Sequence, residues 1–103
     1  MIEVTFDITE DGICYGFQGC GHAGYAPRGS DIVCAAVSVL AQGAASSLEQ
    51  LKDPGARTEQ RAGNLVCTIA APDIASQAIL FMVKNSLKQL EEQYGNYVKV
   101  CHG

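Results

Sequence analysis

The sequence predicts an α+β domain: a small mixed sheet with two helices packed on it, in the order ββαββαβ. Three observations carry this. The first residues alternate strictly between apolar and polar, as a half-buried strand does. Two longer stretches, one opened by a capping side chain and the other by Pro72 and Asp73, have helical patterns. Short runs bounded by Gly, Pro and Asn lie between and after them. At 103 residues the chain fits one domain, 1–103.

Within residues 2–9, Ile2, Val4, Phe6 and Ile8 fall on one face, and Glu3, Thr5, Asp7 and Thr9 on the other. Glu10-Asp11-Gly12 supplies a turn, because Gly tolerates the positive φ of a tight hairpin. Ile13, Tyr15 and Phe17 continue a second strand. Gly19, Gly21 and Gly24, followed by Pro27-Arg28-Gly29, make residues 19–30 a glycine-rich loop. Ser30 or Asp31 suits an N-cap. From Ile32 a helix runs to about Lys52. It is apolar nearly all round and rich in small residues, a pattern that predicts a buried, closely packed helix. Asp53-Pro54-Gly55 stops it. Thr58–Arg61 and Leu65–Ala70 form strands about a turn at 62–64. Pro72 and Asp73 open a second helix, with Pro in its first turn. Ile79, Val83, Leu87, Leu90 and Tyr94 line that helix's core face, and Gly95 suits C′. Residues 97–101 make the last strand.

Apolar residues are 48% of the chain and charged residues 17%, a globular composition. The net charge of −4 and a pI near 4.9 argue against a nucleic-acid binder that neutralises phosphates. A basic peptide remains compatible, since opposite charge steers it in. The five cysteines, at 14, 20, 34, 67 and 101, are odd in number and lack a disulfide spacing, which predicts reduced thiols in the cytoplasm. The N-terminus has no signal-peptide pattern, and the apolar stretch from Ile32 to Ala45 is short for a bilayer. So short a domain buries a modest share of its surface, and dimerisation would help it.

The stretch from Gly21 to Ser38 carries the chemistry. With Ser30 or Asp31 as cap, Cys34 lies in the first helical turn, where the dipole favours a thiolate. A thiolate is the nucleophile of cysteine catalysis, and its base at neutral pH is histidine. Of the two histidines, His102 is next to last, whereas His22 sits beside the loop that leads to Cys34. Free N–H groups at the helix start would serve an oxyanion hole. Taken singly, a Cys early in a helix is most often a small buried hydrophobe, and a His after Gly is structural or solvated. Three rivals use the same residues. Cys14, Cys20, His22 and Cys34 offer zinc ligands without a C-x₂-C knuckle. A non-enzymatic scaffold would use the small-residue helix for dimer packing alone. A redox thiol would want C-x-x-C, which is absent.

The core Gly21-His22-Ala23 … Gly29-Ser30-Asp31-Ile32-Val33-Cys34-Ala35 … Ser38 resembles the ribosomal-processing cysteine protease family, Prp, whose pattern is GHA … GxDIVCAxxS. The likeness extends to length and element order. It implies Cys34 as nucleophile and His22 as base, with no metal or cofactor. It implies supporting places for Asp31 (helix cap, orienter of His22, or both), for Ser38 lining the site, and for Gly21 as a hinge. The implied activity removes the N-terminal extension of a large-subunit ribosomal protein precursor in bacteria, which functional ribosomes need. The implied assembly is a homodimer, and the scaffold rival is, in that setting, a non-enzymatic ribosome-associated dimer. Residues 24–28 carry no family motif. A mobile loop over the site would keep the resting enzyme inactive until substrate orders it.

Overall fold

A computed structural model describes residues 1–27 and 29–102; Arg28, assigned above to the loop, and Gly103 lie outside the described residues. The elements are β1 (Ile2–Ile8), β2 (Cys14–Cys20), α1 (Ile32–Gln50), β3 (Ala56–Arg61), β4 (Asn64–Ile69), α2 (Ile74–Gln93) and β5 (Val98–His102). The predicted order and class hold. The five strands form one sheet in the order β3-β4-β2-β1-β5. β5 runs parallel to β1 and the other pairs are antiparallel, so the sheet is mixed.

The alternation in β1 does what it predicts: Ile2, Val4 and Phe6 are buried while Glu3, Thr5 and Asp7 face water. Phe6 lies opposite Phe17 of β2, their rings 5.8 Å apart. Val33, Val37, Ala41 and Leu48 of α1 and Leu80, Val83 and Leu87 of α2 complete the core. The thiols of Cys14 and Cys67 are part of it, and burial pushes both above their ordinary value.

Several details differ from expectation, each for a physical reason. Asp7 pairs with Gly16 and Ile8 with Cys14, so Tyr15 is an extra residue of β2 that points to solvent, and Cys14 takes its place inside beside the expected Phe17. β2 also runs through Gly19 to Cys20, so the irregular loop starts at Gly21. α1 ends at Gln50, two residues early, with Leu51 as its C-cap. Pro72 lies outside α2, because Asp73 is the N-cap and shares a capping box with the buried Ser76. Leu80, absent from the predicted stripe, is fully buried. By length and composition the whole of α1, Ile32–Gln50, is apolar enough to cross a membrane, while the Ile32–Ala45 stretch within it is too short to do so. Here it lies on the sheet, and it is not buried all round: Ile32 and Val39 are exposed.

Two long-range hydrogen bonds from one side chain tie the layers at the end far from Cys34. The Gln77 side chain of α2 accepts the Cys14 N–H at 2.9 Å and donates to the Cys14 carbonyl at 2.8 Å. It completes the backbone pairing of β2 as a neighbouring strand would.

Candidate active site

The sheet brings His22 to the helix start. Cys20, the last residue of β2, pairs with Glu3 on one side and Asn64 on the other. Beyond it, the Gly21 N–H donates to the Gly63 carbonyl at 2.9 Å. Gly21 has φ of 96°, in the left-handed region, and a Cβ there would collide with the Met1 carbonyl. Its place in the motif thus has a backbone cause. His22 follows and is exposed, and Ala23 then turns into the core at 3% exposure.

Asp31 is the N-cap of α1, which resolves the choice between Ser30 and Asp31. Its Oδ1 accepts the Cys34 N–H at 2.9 Å. Its Oδ2 accepts the Tyr25 N–H at 3.0 Å and the Ala26 N–H at 3.5 Å. These amides, the Cys34 N–H first, hold the carboxyl below its ordinary value. Among the described residues it makes no hydrogen bond to His22. The cap also changes the expected oxyanion hole. The N–H of Cys34 is committed to Asp31 Oδ1 and that of Ala35 to the Asp31 carbonyl, so two helix-start donors are already paired.

The loop between His22 and Asp31 has its own anchor. The Tyr25 ring packs edge-on against Tyr94 at 5.6 Å and Tyr97 at 5.2 Å, the residues that flank the end of α2. Together with buried Ala23 and the Asp31 bonds, this gives residues 23–27 defined packing.

Cys34 is half-buried and Ser38, one turn on, is likewise half-buried. Both border two cavities, and so does His22. One, of about 150 Å³, is walled by Val37, Ala41, Gln42, Gln60, Arg61 and Asn64. The other, of about 540 Å³, is walled by small residues and Asp31: Gly24, Ala26, Gly29 and Ala35. The thiol and the imidazole therefore stand at the junction of two recesses. The structure thus brings together His22, Cys34, Ser38, Asp31 and Gly21.

Cys14 lies elsewhere, beside Ile8 and Gln77 at the opposite end, so the four-residue zinc set is split. His102, set aside as a base, lies on the edge strand β5. The residues that sequence reasoning missed are those on the β3–β4 hairpin: Gln60, Arg61, Gly63 and Asn64. Their nearness to His22 follows from the β2–β4 pairing, which no local pattern announces.

A thiol in the first turn of a helix and an imidazole bordering the same cavities, on a two-layer α+β fold, are the equipment of a cysteine hydrolase. The chain belongs to the cysteine protease Prp family, whose model matches residues 1–99, and it is a cysteine-type endopeptidase. It is similar over its whole length to the ribosomal processing protease Prp from S. aureus in complex with a covalently linked product peptide, with TM-score 0.93 and 24% identity over 100% of both chains. The same S. aureus protease with a substrate peptide gives 0.81 at 24% identity, again over 100% of both chains. A Streptococcus mutans protein gives 0.74 at 28% identity, over 100% of this chain and 96% of that one. No curated protein matches it by sequence.

Proposed function

We propose that Cys34 is the nucleophile and His22 the general base of this endopeptidase, and that it removes the N-terminal extension of a large-subunit ribosomal protein precursor. The observation that carries the dyad is that both side chains border the same two cavities, so a peptide spanning the recesses would pass its scissile bond over them. The substrate class rests on family membership and on the ribosomal-processing role of the S. aureus relative.

His22 takes the Cys34 thiol proton, and the thiolate sulfur bonds to the scissile carbonyl carbon. The tetrahedral intermediate collapses as the C–N bond breaks, and His22 hands its proton to the departing amine. Water then attacks the thioester, gives a proton to His22, and the proton returns to sulfur as the acid product leaves. Asp31 holds the helix start and the loop together; Ser38 lines the site beside Cys34. The enzyme works in the cytoplasm, as a homodimer, without direct contact to nucleic acid.

The test is cleavage of a peptide spanning the precursor's extension junction, read by mass spectrometry, beside Cys34→Ala and His22→Ala. Wild-type cleavage at one site, lost by a factor of about 10³ or more in each variant, is expected. Full activity in either variant would remove that residue from the dyad.

A further inference from the structure

Gly63 lies outside the family pattern, yet the His22 ring lies against it. We propose that Gly63 is a positioning residue of the peptidase: its bare Cα leaves the space the His22 imidazole occupies, and its carbonyl anchors the backbone from which that ring projects. This rests on the reading of His22 as the base.

The β3–β4 hairpin is as tight as hairpins come. Arg61 pairs with Asn64, so only Ala62 and Gly63 make the turn. A Cβ on Gly63 would stand 3.3 Å from His22 Nε2 and 3.7 Å from Cε1. The approach to Nε2 is closer than ordinary van der Waals contact, so the ring would have to give by a few tenths of an ångström, while that to Cε1 is ordinary contact. His22 is exposed and, among the described residues, its ring has no hydrogen-bond partner. The turn is therefore a wall that limits where the imidazole can go. The bond from the Gly21 N–H to the Gly63 carbonyl, at 2.9 Å, fixes the adjoining backbone to the same turn. Wall and anchor are one residue, so a shift of the turn moves the ring and its backbone together.

A two-residue hairpin turn favours Gly for a second reason, since Gly63 has φ of 74°. The experiment must separate backbone need from ring contact. Asn tolerates the left-handed region but carries a Cβ. Gly12, with φ of 85° in the β1–β2 turn and open space where its Cβ would be, is a matched control. Gly12→Asn should cleave the junction peptide like wild type. Gly63→Asn should keep its circular dichroism while kcat falls about tenfold and KM stays within about twofold, since displacing a catalytic group by a fraction of an ångström is costly. In NMR spectra of the wild-type protein, His22 ring protons should show cross-peaks to the Gly63 α-protons. The His22 ring-proton chemical shifts should move in Gly63→Asn and stay put in Gly12→Asn.

Equal kinetics and unmoved His22 ring-proton shifts in the two variants would overturn the proposal. So would a loss confined to KM, which would make the turn only a substrate wall. Should Gly63→Asn unfold, the wild-type cross-peaks decide alone, and their absence sinks the idea. The cross-peaks do not depend on catalysis. Cross-peaks together with full activity in His22→Ala would retire His22 as base, and Gly63's catalytic role with it, while leaving the ring's seat standing.

Discussion

Both oxygens of Asp31 are in use, Oδ1 on the Cys34 N–H and Oδ2 on those of Tyr25 and Ala26. One side chain thus fixes the helix start that carries the thiol and the loop that walls the larger cavity. A carboxylate serves this role better than an amide because all its partners are donors. In Asp31→Asn one acceptor remains and the NH₂ faces an N–H; in Asp31→Ala both acceptors go. We expect kcat/KM on the junction peptide to fall about tenfold in Asp31→Asn and further in Asp31→Ala, since a misplaced nucleophile loses rate steeply. The pH sign follows from the bonds. They favour the charged form, so the folded value lies below the ordinary 3.8. The stabilisation is present above 3.8 and is lost as pH falls through the lower folded value. Loop order, followed by tyrosine fluorescence, should hold down to that acid range in wild type and be weakened at neutral pH in Asp31→Ala. Wild-type kinetics in Asp31→Ala would show that the cap does not position Cys34.

At the scale of elements, the joint between Gln77 and Cys14 does what a strand neighbour would do for β2. Gln77→Leu keeps the bulk and leaves the Cys14 N–H and carbonyl unpaired at a half-buried site. A loss of about 1–3 kcal/mol in urea unfolding is expected, with peptidase activity of the folded protein retained, because the joint is at the far end from Cys34. A change under a few tenths of a kcal/mol would mean that water replaces the amide. The joint also shows where sequence reading stops. β1, α2 and the order of all seven elements were legible because alternation and helical spacing are local. His22, Cys34 and Asp31 were legible because they fall in one short motif whose residue types suit the chemistry. The β2 phase was legible at Phe17 and lost beyond it, since the register shift beside Ile8 puts Cys14 inward in place of Tyr15. Gln77 and Gly63 were not, since each acts on a partner tens of residues away that only the folded sheet brings near.

For the whole molecule, the telling feature is apolar surface left outside the two-layer core. On α2, Ile74 and Phe81 are a double turn apart with Met82 beside them, and all three are exposed; on α1, Val39 is 72% exposed. Scattered single residues of this kind are common, but a run on one helix is a surface that association would cover. A chain of 103 residues also has limited core of its own to draw on. Fully burying a side chain such as Phe or Met contributes about 1.5–3 kcal/mol, so a few of them weigh heavily in a dimer. The proposed homodimer is expected to use this α2 face. Phe81→Glu places a charge in that interface while altering nothing in the core. Sedimentation equilibrium at micromolar concentration should then find a dimer for wild type and a monomer for Phe81→Glu, with matching circular dichroism. A wild-type monomer would end the homodimer proposal. A Phe81→Glu dimer would move the interface elsewhere, with Ile32 and Val39 of α1 the next residues to change.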